Sequence, residues 1–454
     1  MATPAKIYQM TPEQLALAKL RKAKKERLAQ MGTSASVEMS GTSMSPLLSR
    51  PWLPIPHTRL ESQNTRFHQT KIMSWNVCNV LLASPDFRAG PRTELELFPN
   101  SDCLKVGQRE PLIHEEIRRQ NADILCLQEV DRLEKLLPML EKAGYSHCYA
   151  SGPRKLHGCL IAFKKDLYSM VSERVIFYDD QTMGTNPTST LTGGSFKTRN
   201  IGYMLALKSN VDPQDGIVVA TTHLFWHPRY IYEKIRQVGI LLREVTAFRE
   251  ELSINNWPTI IAGDFNFTPI DPAYSLVTGD TLLSVQKETI TSSRVVHSSI
   301  DPSVVTNTPI AAVEDEAGDV DPDRVIVNAR PPRPEEGILT IPEIEKWFST
   351  LPKPHSAYNI GIHASRESGN NLPTFGARNA LPSGRNGSNE PEYTSYTHYW
   401  HLTLDYIFFL DLPERPISVI GLLTPLKESD MTPGLPLKHV SGSDHTCLVA
   451  ELSW

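Results

Sequence analysis

No apolar run in these 454 residues is long enough to span a bilayer, so a membrane-embedded protein is not expected. The amino terminus lacks a cleavable secretory pattern: MATPAKIYQM leads into a charged segment rather than an apolar core. The six cysteines (Cys78, Cys103, Cys126, Cys148, Cys159 and Cys447) include no C-x-x-C pair, and most sit in apolar runs. Buried free thiols in a reducing compartment account for them better than disulfides or a zinc site. No internal repeat recurs, and no leucine-rich repeat precedes the apolar runs. The chain also lacks the strong basic excess of many nucleic-acid binders. Its formal net charge is −5, although acidic metal ligands and acidic loops can mask a local basic groove.

What is present reads as a globular chain, 40% hydrophobic and 21% charged. Its length suits two or three domains, or one large domain with insertions. Residues 1–68 read as a basic, largely disordered tail. Within it, LALAKLRKAKKERLAQM follows Pro12-Glu13-Gln14 and is made of helix formers dense in Lys and Arg. A solvated helix, an RNA-contacting arm and a nuclear-import signal all fit that stretch. The expected compartment is intracellular, nucleus or cytoplasm; Glu13 and Glu26 disfavour a mitochondrial presequence.

From residue 69 the pattern changes to short runs of strand length and composition. These are KIMSWNV, DILCLQEV, GCLIAFKK, IGYMLALKS, GIVVATTHL, PTIIAGDFN, LDYIFFLDL and CLVAELSW. Helical segments alternate with them: REPLIHEEIRRQN, with Pro111 near its start; DRLEKLLPMLEKAG, kinked or broken at Pro138; and the long YIYEKIRQVGILLREVTAFREEL. The alternation predicts an α/β domain over 69–454, with mixed sheets because no long helix separates the last two runs. Residues from about 285 to 395, acidic and then rich in Pro and Gly, read as a partly disordered surface insertion. It holds one helix candidate, TIPEIEKWFSTL, with Thr340 as its cap and Pro342 in its first turn.

Polar residues stand at the ends of these runs: Asn76, Glu129, His223, Asp264 with Asn266, Asp405, and Asp444-His445. Strand ends are where sites assemble in α/β folds. Each residue alone has an ordinary reading as a cap, a turn former or a surface carboxylate. As a set they make chemical sense. Several carboxylates gathered at one edge repel unless a cation is present, and carboxylate and amide oxygens suit Mg²⁺ or Mn²⁺ rather than zinc. A metal polarises a phosphate, a carboxylate orients or deprotonates water, and a histidine backed by a second carboxylate stabilises charged oxygens. The residues point to metal-assisted hydrolysis of a phosphate ester.

The motifs SWNV, LCLQEVD, TTHLFWHP, GDFNFTP, LDYIFF and SDHTCLVAEL resemble the ordered motifs of the endonuclease/exonuclease/phosphatase superfamily. HGCLIAFKK, YEKIRQV, SAY at Ser356–Tyr358 and YTSYTHYWHLTLDYIFF narrow the resemblance to the deadenylase-like branch, which holds the fungal Ngl RNA exonucleases, nocturnin and the Angel proteins. The resemblance covers roughly 70–280 and 355–454. It implies a four-layer α/β sandwich, with two mixed sheets packed face to face and helices outside. It also implies roles: Glu129 as principal Mg²⁺ ligand with Asn76 beside it, and Asp444 at the metal or the leaving group. Asp264 would orient water, Asn266 would hold the pentacovalent phosphorus, His223 would contact phosphate oxygens, and His445 would stabilise the scissile phosphate, held by Asp405.

Pro228 and Trp400 match positions that hold a base in poly(A)-removing relatives, and an aromatic there stacks on any base of a single-stranded RNA 3′ end. Ser395 replaces an expected asparagine, His227 replaces an acidic residue, and SGPRKLHGC lacks an expected acid. These departures favour a general 3′–5′ RNA exonuclease, releasing nucleoside 5′-monophosphates, over strict poly(A) removal. The alternatives are a phosphatase or phosphodiesterase for a small nucleotide and, lower, an inactive RNA-binding scaffold.

Overall fold

The computed structural model describes residues 47–56, 68–77, 101–183, 191–305, 325–412 and 415–454. Two large sheets carry the fold. In chain order their strands are β1 (Trp52–Pro54), β2 (Gln69–Asn76), β3 (Ile124–Val130), β4 (Tyr145–Ala150), β5 (Gly158–Lys164), β6 (Tyr168–Phe177), β7 (Ile201–Ser209), β8 (Gly216–His223), β9 (Thr259–Asp264), β10 (His355–Ser356), β11 (Asp405–Leu410), β12 (Ser418–Leu423) and β13 (Leu448–Ser453). The first sheet runs β1-β12-β13-β2-β3-β5-β4 and the second β10-β11-β9-β8-β7-β6. All eight expected runs are strands. Each sheet is mixed in the same way: one parallel pair, β2 with β3 and β8 with β9, flanked by antiparallel neighbours.

The layers follow from strand periodicity. Ile72, Ile124 and Ile161 of the first sheet meet Leu205, Val219, Ile260 and Ile407 of the second in one buried core. The alternate residues of the first sheet, Met73, Leu125, Leu127 and Val449, pack outward on Ile113 and Ile117 of helix α1 (Val106–Gln120) and on Leu136 and Leu140 of α2 (Leu133–Lys142). On the other side Val218, Ala220, Ile261 and Phe408 pack on Ile235, Val238 and Leu242 of α3 (Ile231–Glu251). This gives the four-layer sandwich, helices outside two face-to-face mixed sheets. Pro111 and Pro138 both lie inside their helices, which run through them. Each costs one intrahelical bond in an element held by its apolar face.

Two boundary expectations change. The end of the expected 1–68 tail belongs to the fold: β1 pairs with β12, Leu47 and Ile55 are buried, and the Arg50 side chain donates to the carbonyls of Thr424 and Cys447. A three-residue strand is too short to show periodicity. The basic stretch before it lies outside the described residues. The expected disordered insertion is ordered over 285–305 and 325–395. It follows helix α4 (Pro272–Thr278) and carries part of α5 (Ser284–Ser293), all of α6 (Ile341–Ser349) and α7 (Ala357–Glu367). Its Ile290, Ile344, Trp347 and Phe348 join the core around α3, each contributing about 1.5–3 kcal/mol of burial. A Cβ on Gly239 of α3 would lie 2.5 Å from the Trp347 ring, so glycine makes the room. Helix α6 has the expected cap, with Thr340 N donating to Glu343 Oε2 at 2.7 Å. The acidic stretch 306–324 lies outside the described residues. Among the described residues no helix is long and apolar enough to cross a membrane.

Glu390, in the same segment, is fully buried, with Tyr274 Oη donating to its Oε1 at 2.7 Å. Burial pushes its carboxyl up to about 7, against hydrogen bonds from Ser356 and Tyr274. A folded-state pKa above the unfolded value of ~4.3 favours the fold below that pH, and the contribution is lost as pH rises to 7. Glu390→Gln mimics the protonated form. It is expected to raise unfolding free energy by up to about 3 kcal/mol at pH 8, with the gain vanishing as pH approaches ~4.5. Denaturant melts across this range test it; a pH-independent effect would refute the assignment.

Candidate active site

The parallel pairs of both sheets end at one edge, and that is where the polar residues gather. The register sets three of them side by side: His223 opposite Asp264 across β8 and β9, and Asp264 opposite Asp405 across β9 and β11. Gly263 allows the close approach, since a Cβ there would meet the Thr222 carbonyl oxygen at 2.2 Å. On the first sheet, β3 shifts register against β5 between Leu127 and Val130. At this bulge Gln128 turns inward to donate to Thr221 Oγ1 (2.9 Å), while Glu129 takes a left-handed backbone (φ 56°).

A single amide bridges the carboxylates of the two sheets. Asn76 Nδ2 lies 2.9 Å from Asp264 Oδ2 and 3.3 Å from Glu129 Oε1. His223 sits between the same two acids, with Nε2 3.5 Å from Asp264 Oδ2 and Nδ1 3.7 Å from Glu129 Oε1. Asp264 Oδ1 accepts the backbone N–H of Asn266 (2.9 Å), and Asn266 Nδ2 donates to the Leu224 carbonyl (3.1 Å). His445 Nδ1 bonds Asp405 Oδ2 at 2.8 Å, which leaves Nε2 facing Asp264 Oδ2 at 3.9 Å. Asp444 adjoins this pair. Ser443 Oγ lies 3.3 Å from Asp444 Oδ1 and donates to the Asn76 carbonyl at 2.6 Å.

Burial opposes charge on His445, but Asp405, Asp444 and Asp264 outweigh it and hold the imidazole well above its ordinary pKa. Burial raises Asp405, the neighbouring His445 lowers it, and Asp264 raises it further. One proton lies between the two. The direction that governs is that of His445, which three carboxylates surround. Ligand-type atoms of Asp264, Asp405 and His445 lie within 4.8 Å of one another. His445 Nδ1 and Asp405 Oδ2 are already bonded to each other, so this trio reads as a charged dyad beside Asp264. Glu129 and Asp264 bring hard carboxylate oxygens to the same point, and such donors fit a divalent cation.

The three substrate-side candidates fall differently. Ser395 is buried and forms a β-bridge with His445. Pro228 is exposed on the loop after His223. Trp400 is half-buried at a hairpin tip, where its backbone N–H donates to Thr397 Oγ1 (2.9 Å), and no ring contact involves it among the described residues. His227, at the position where an acid was expected, is buried; its Nδ1 accepts the Arg229 N–H (3.1 Å) and its ring meets Tyr230 edge-on.

Several supporting residues escape sequence reading. Thr394 Oγ1 donates to Asp405 Oδ2 (2.6 Å) and accepts the N–H groups of Leu404 and Asp405. Lys234 of α3 is buried, and its Nζ donates to the Asn266 carbonyl at 2.5 Å, beneath a residue in the left-handed region (φ 52°). Burial pushes this lysine down to about 8, against Asp271 and Asp264. A Lys-Ile-Arg-Gln helix face gives no signal from sequence, because it reads as solvent-facing. Lys234→Met keeps the stem and removes the donor, leaving a buried carbonyl unpaired. It is expected to cost about 1–3 kcal/mol in denaturant unfolding; wild-type stability would show that the bond carries no weight.

The Endonuclease/Exonuclease/phosphatase family matches residues 73–445. The chain is 28% identical to a probable RNA exonuclease of Schizosaccharomyces pombe, covering 98% of this chain and 88% of that protein. It is 26% identical to the RNA exonuclease NGL2 of Saccharomyces cerevisiae, covering 98% and 89%. Among solved structures, ANGEL2, described as a 2′,3′-cyclic phosphatase, shares the fold: TM-score 0.56 and 22% identity, over 90% of this chain and 98% of that one.

Proposed function

This chain belongs to the endonuclease/exonuclease/phosphatase family, and from that premise we propose that this phosphate-ester hydrolase is a Mg²⁺-dependent 3′–5′ RNA exonuclease releasing nucleoside 5′-monophosphates. The observation that carries the reading is the continuous contact chain Glu129–Asn76–Asp264–His445–Asp405. It combines a hard-oxygen cation site with a charged imidazole. The RNA part is supported by the yeast relatives named as RNA exonucleases.

Glu129 and Asn76, with Asp444 nearby, would hold Mg²⁺ (or Mn²⁺), which when bound supplies Lewis-acid polarisation of a phosphate oxygen. Asp264 is held at both oxygens, by Asn76 Nδ2 and Asn266 N. It is therefore oriented to align an attacking water and accept its proton. Water attacks phosphorus, the bond to the upstream 3′ oxygen breaks, and that oxygen takes a proton from solvent to become the new 3′ hydroxyl of the shortened strand, while Asp264 releases to solvent the proton it accepted. His445, kept protonated by Asp405, donates from Nε2 to a phosphoryl oxygen as charge develops there. His223 contributes a second imidazole on the Glu129 side, and Asn266 offers its remaining amide hydrogen. Pro228 and Trp400 hold a base by contact and stacking. Ser395 has a hydroxyl where an amide would read adenine, so general 3′ trimming is favoured over strict poly(A) removal.

On 5′-labelled RNA, the wild type with Mg²⁺ is expected to give a ladder of shortened products and free 5′-monophosphates, and chelation to stop it. Asp264→Ala and Glu129→Ala are expected to lower kcat/KM by roughly 10³-fold or more. Intact label in the wild-type lane, or undiminished rates in the variants, would sink the proposal.

A further inference from the structure

Beside the edge where the carboxylates gather lies a pocket lined by Glu129, His223, Lys155, His157, Arg199 and Asn200. Its cationic wall is built. Lys155 Nζ donates to Asn200 Oδ1 (2.6 Å), and Asn200 Nδ2 donates to the His223 carbonyl (2.6 Å). The lysine is thereby tied to the strand that carries the catalytic histidine.

The Arg199 backbone is pinned in the left-handed region (φ 58°). Asp179 accepts its N–H at 2.8 Å and that of Thr198 at 3.1 Å. A Cβ on Gly152 would lie 1.8 Å from the Arg199 carbonyl oxygen, so the two loops are pressed together. The half-buried Arg199 guanidinium has no hydrogen-bond or ion-pair partner among the described residues. By contrast the buried Arg236 is satisfied by Glu233 and the carbonyls of Thr192, Tyr178 and Gln181. A guanidinium fork on a rigid loop, half out of water and without an acceptor, calls for an acceptor from outside.

We propose that this cavity is a second phosphate subsite, which binds a phosphate of the substrate other than the one being hydrolysed through Arg199 and Lys155. The inference rests on the hydrolase reading above for its placement beside the scissile group. Phosphate matches the planar fork and the compact ammonium together. Two sources share this chemistry: the adjacent phosphodiester of an RNA strand, and an additional phosphate on a small nucleotide. The RNA strand is the expected source.

Five probes separate these: ApA, with one phosphate; pApA and ApApA, each with a second phosphate upstream; and adenosine 3′,5′-bisphosphate set against adenosine 5′-monophosphate. The wild type is expected to cleave pApA and ApApA with kcat/KM about 10-fold or more above ApA. Arg199→Met is expected to bring that ratio close to one, and Arg199→Lys to restore part of it. Thermal melts verify folding of each variant, and Lys155→Gln provides the same comparison if Arg199→Met does not fold. Equal cleavage of ApA and pApA by the wild type, or an undiminished ratio in both variants, overturns the subsite. If the wild type leaves all three oligonucleotides intact but prefers the bisphosphate, and Arg199→Met loses that preference, the RNA reading fails and the subsite stands for a small nucleotide. Inactivity on every probe overturns both.

Discussion

The hydrogen bond from Asn76 to Asp264 spans the two sheets at the edge where they deliver their charged residues, and the rest of the site is arranged around it. It can form because both sheets are built on one plan, a parallel pair between antiparallel neighbours. Two further constraints hold the geometry. Gln128 reaches across to Thr221 just below the edge, and Gly263 lets β8 and β9 approach without a side chain between them. Like charges brought this close are costly. The protein offsets part of that cost with one amide and two imidazoles and leaves the remainder for a cation.

The sheets and the strand-end residues were legible in the sequence for a physical reason. Strands buried on both faces are continuous apolar runs, so the first polar residue after such a run marks the edge of the sheet. Asp264 announced itself this way, while Asn76, Glu129 and His223 are the last polar residues of their runs rather than the first. The supporting residues did not, because their roles depend on segments far away in the chain. Thr394 looks like any hydroxyl in a polar turn until Asp405 is placed beside it. The segment after residue 285 misled for a related reason. Its prolines and glycines shape loops, while large apolar residues spread thinly among them, Ile290, Ile344, Trp347 and Phe348 included, supply the burial.

Helix α3 shows how much of the site is set from behind. Glu233, Lys234, Arg236 and Gln237 form a polar face that periodicity assigns to solvent, yet all four are buried. Glu233 accepts from Ser195, Arg236 gathers the carbonyls of Thr192, Tyr178 and Gln181, Gln237 bonds the Phe225 N–H and Thr198, and Lys234 supports Asn266. The loops that carry Asn266, Phe225 and Thr198 are thus fixed to one rigid element. The same face supports the turn holding Asp264 and the loop holding Arg199, so changes in this helix couple the two parts of the site.

The pairing of β2 with β13 has a consequence for how the molecule comes into being. Ser443 and Asn76, which share a hydrogen bond across the site, are 367 positions apart. On the ribosome, Asn76, Glu129, His223 and Asp264 emerge long before Asp405 and His445, and until β13 arrives β2 lacks its antiparallel neighbour. Contacts of such long sequence separation close late. A nascent or abandoned chain therefore holds carboxylates without their imidazole dyad, and the cluster is completed only when the last strand pairs.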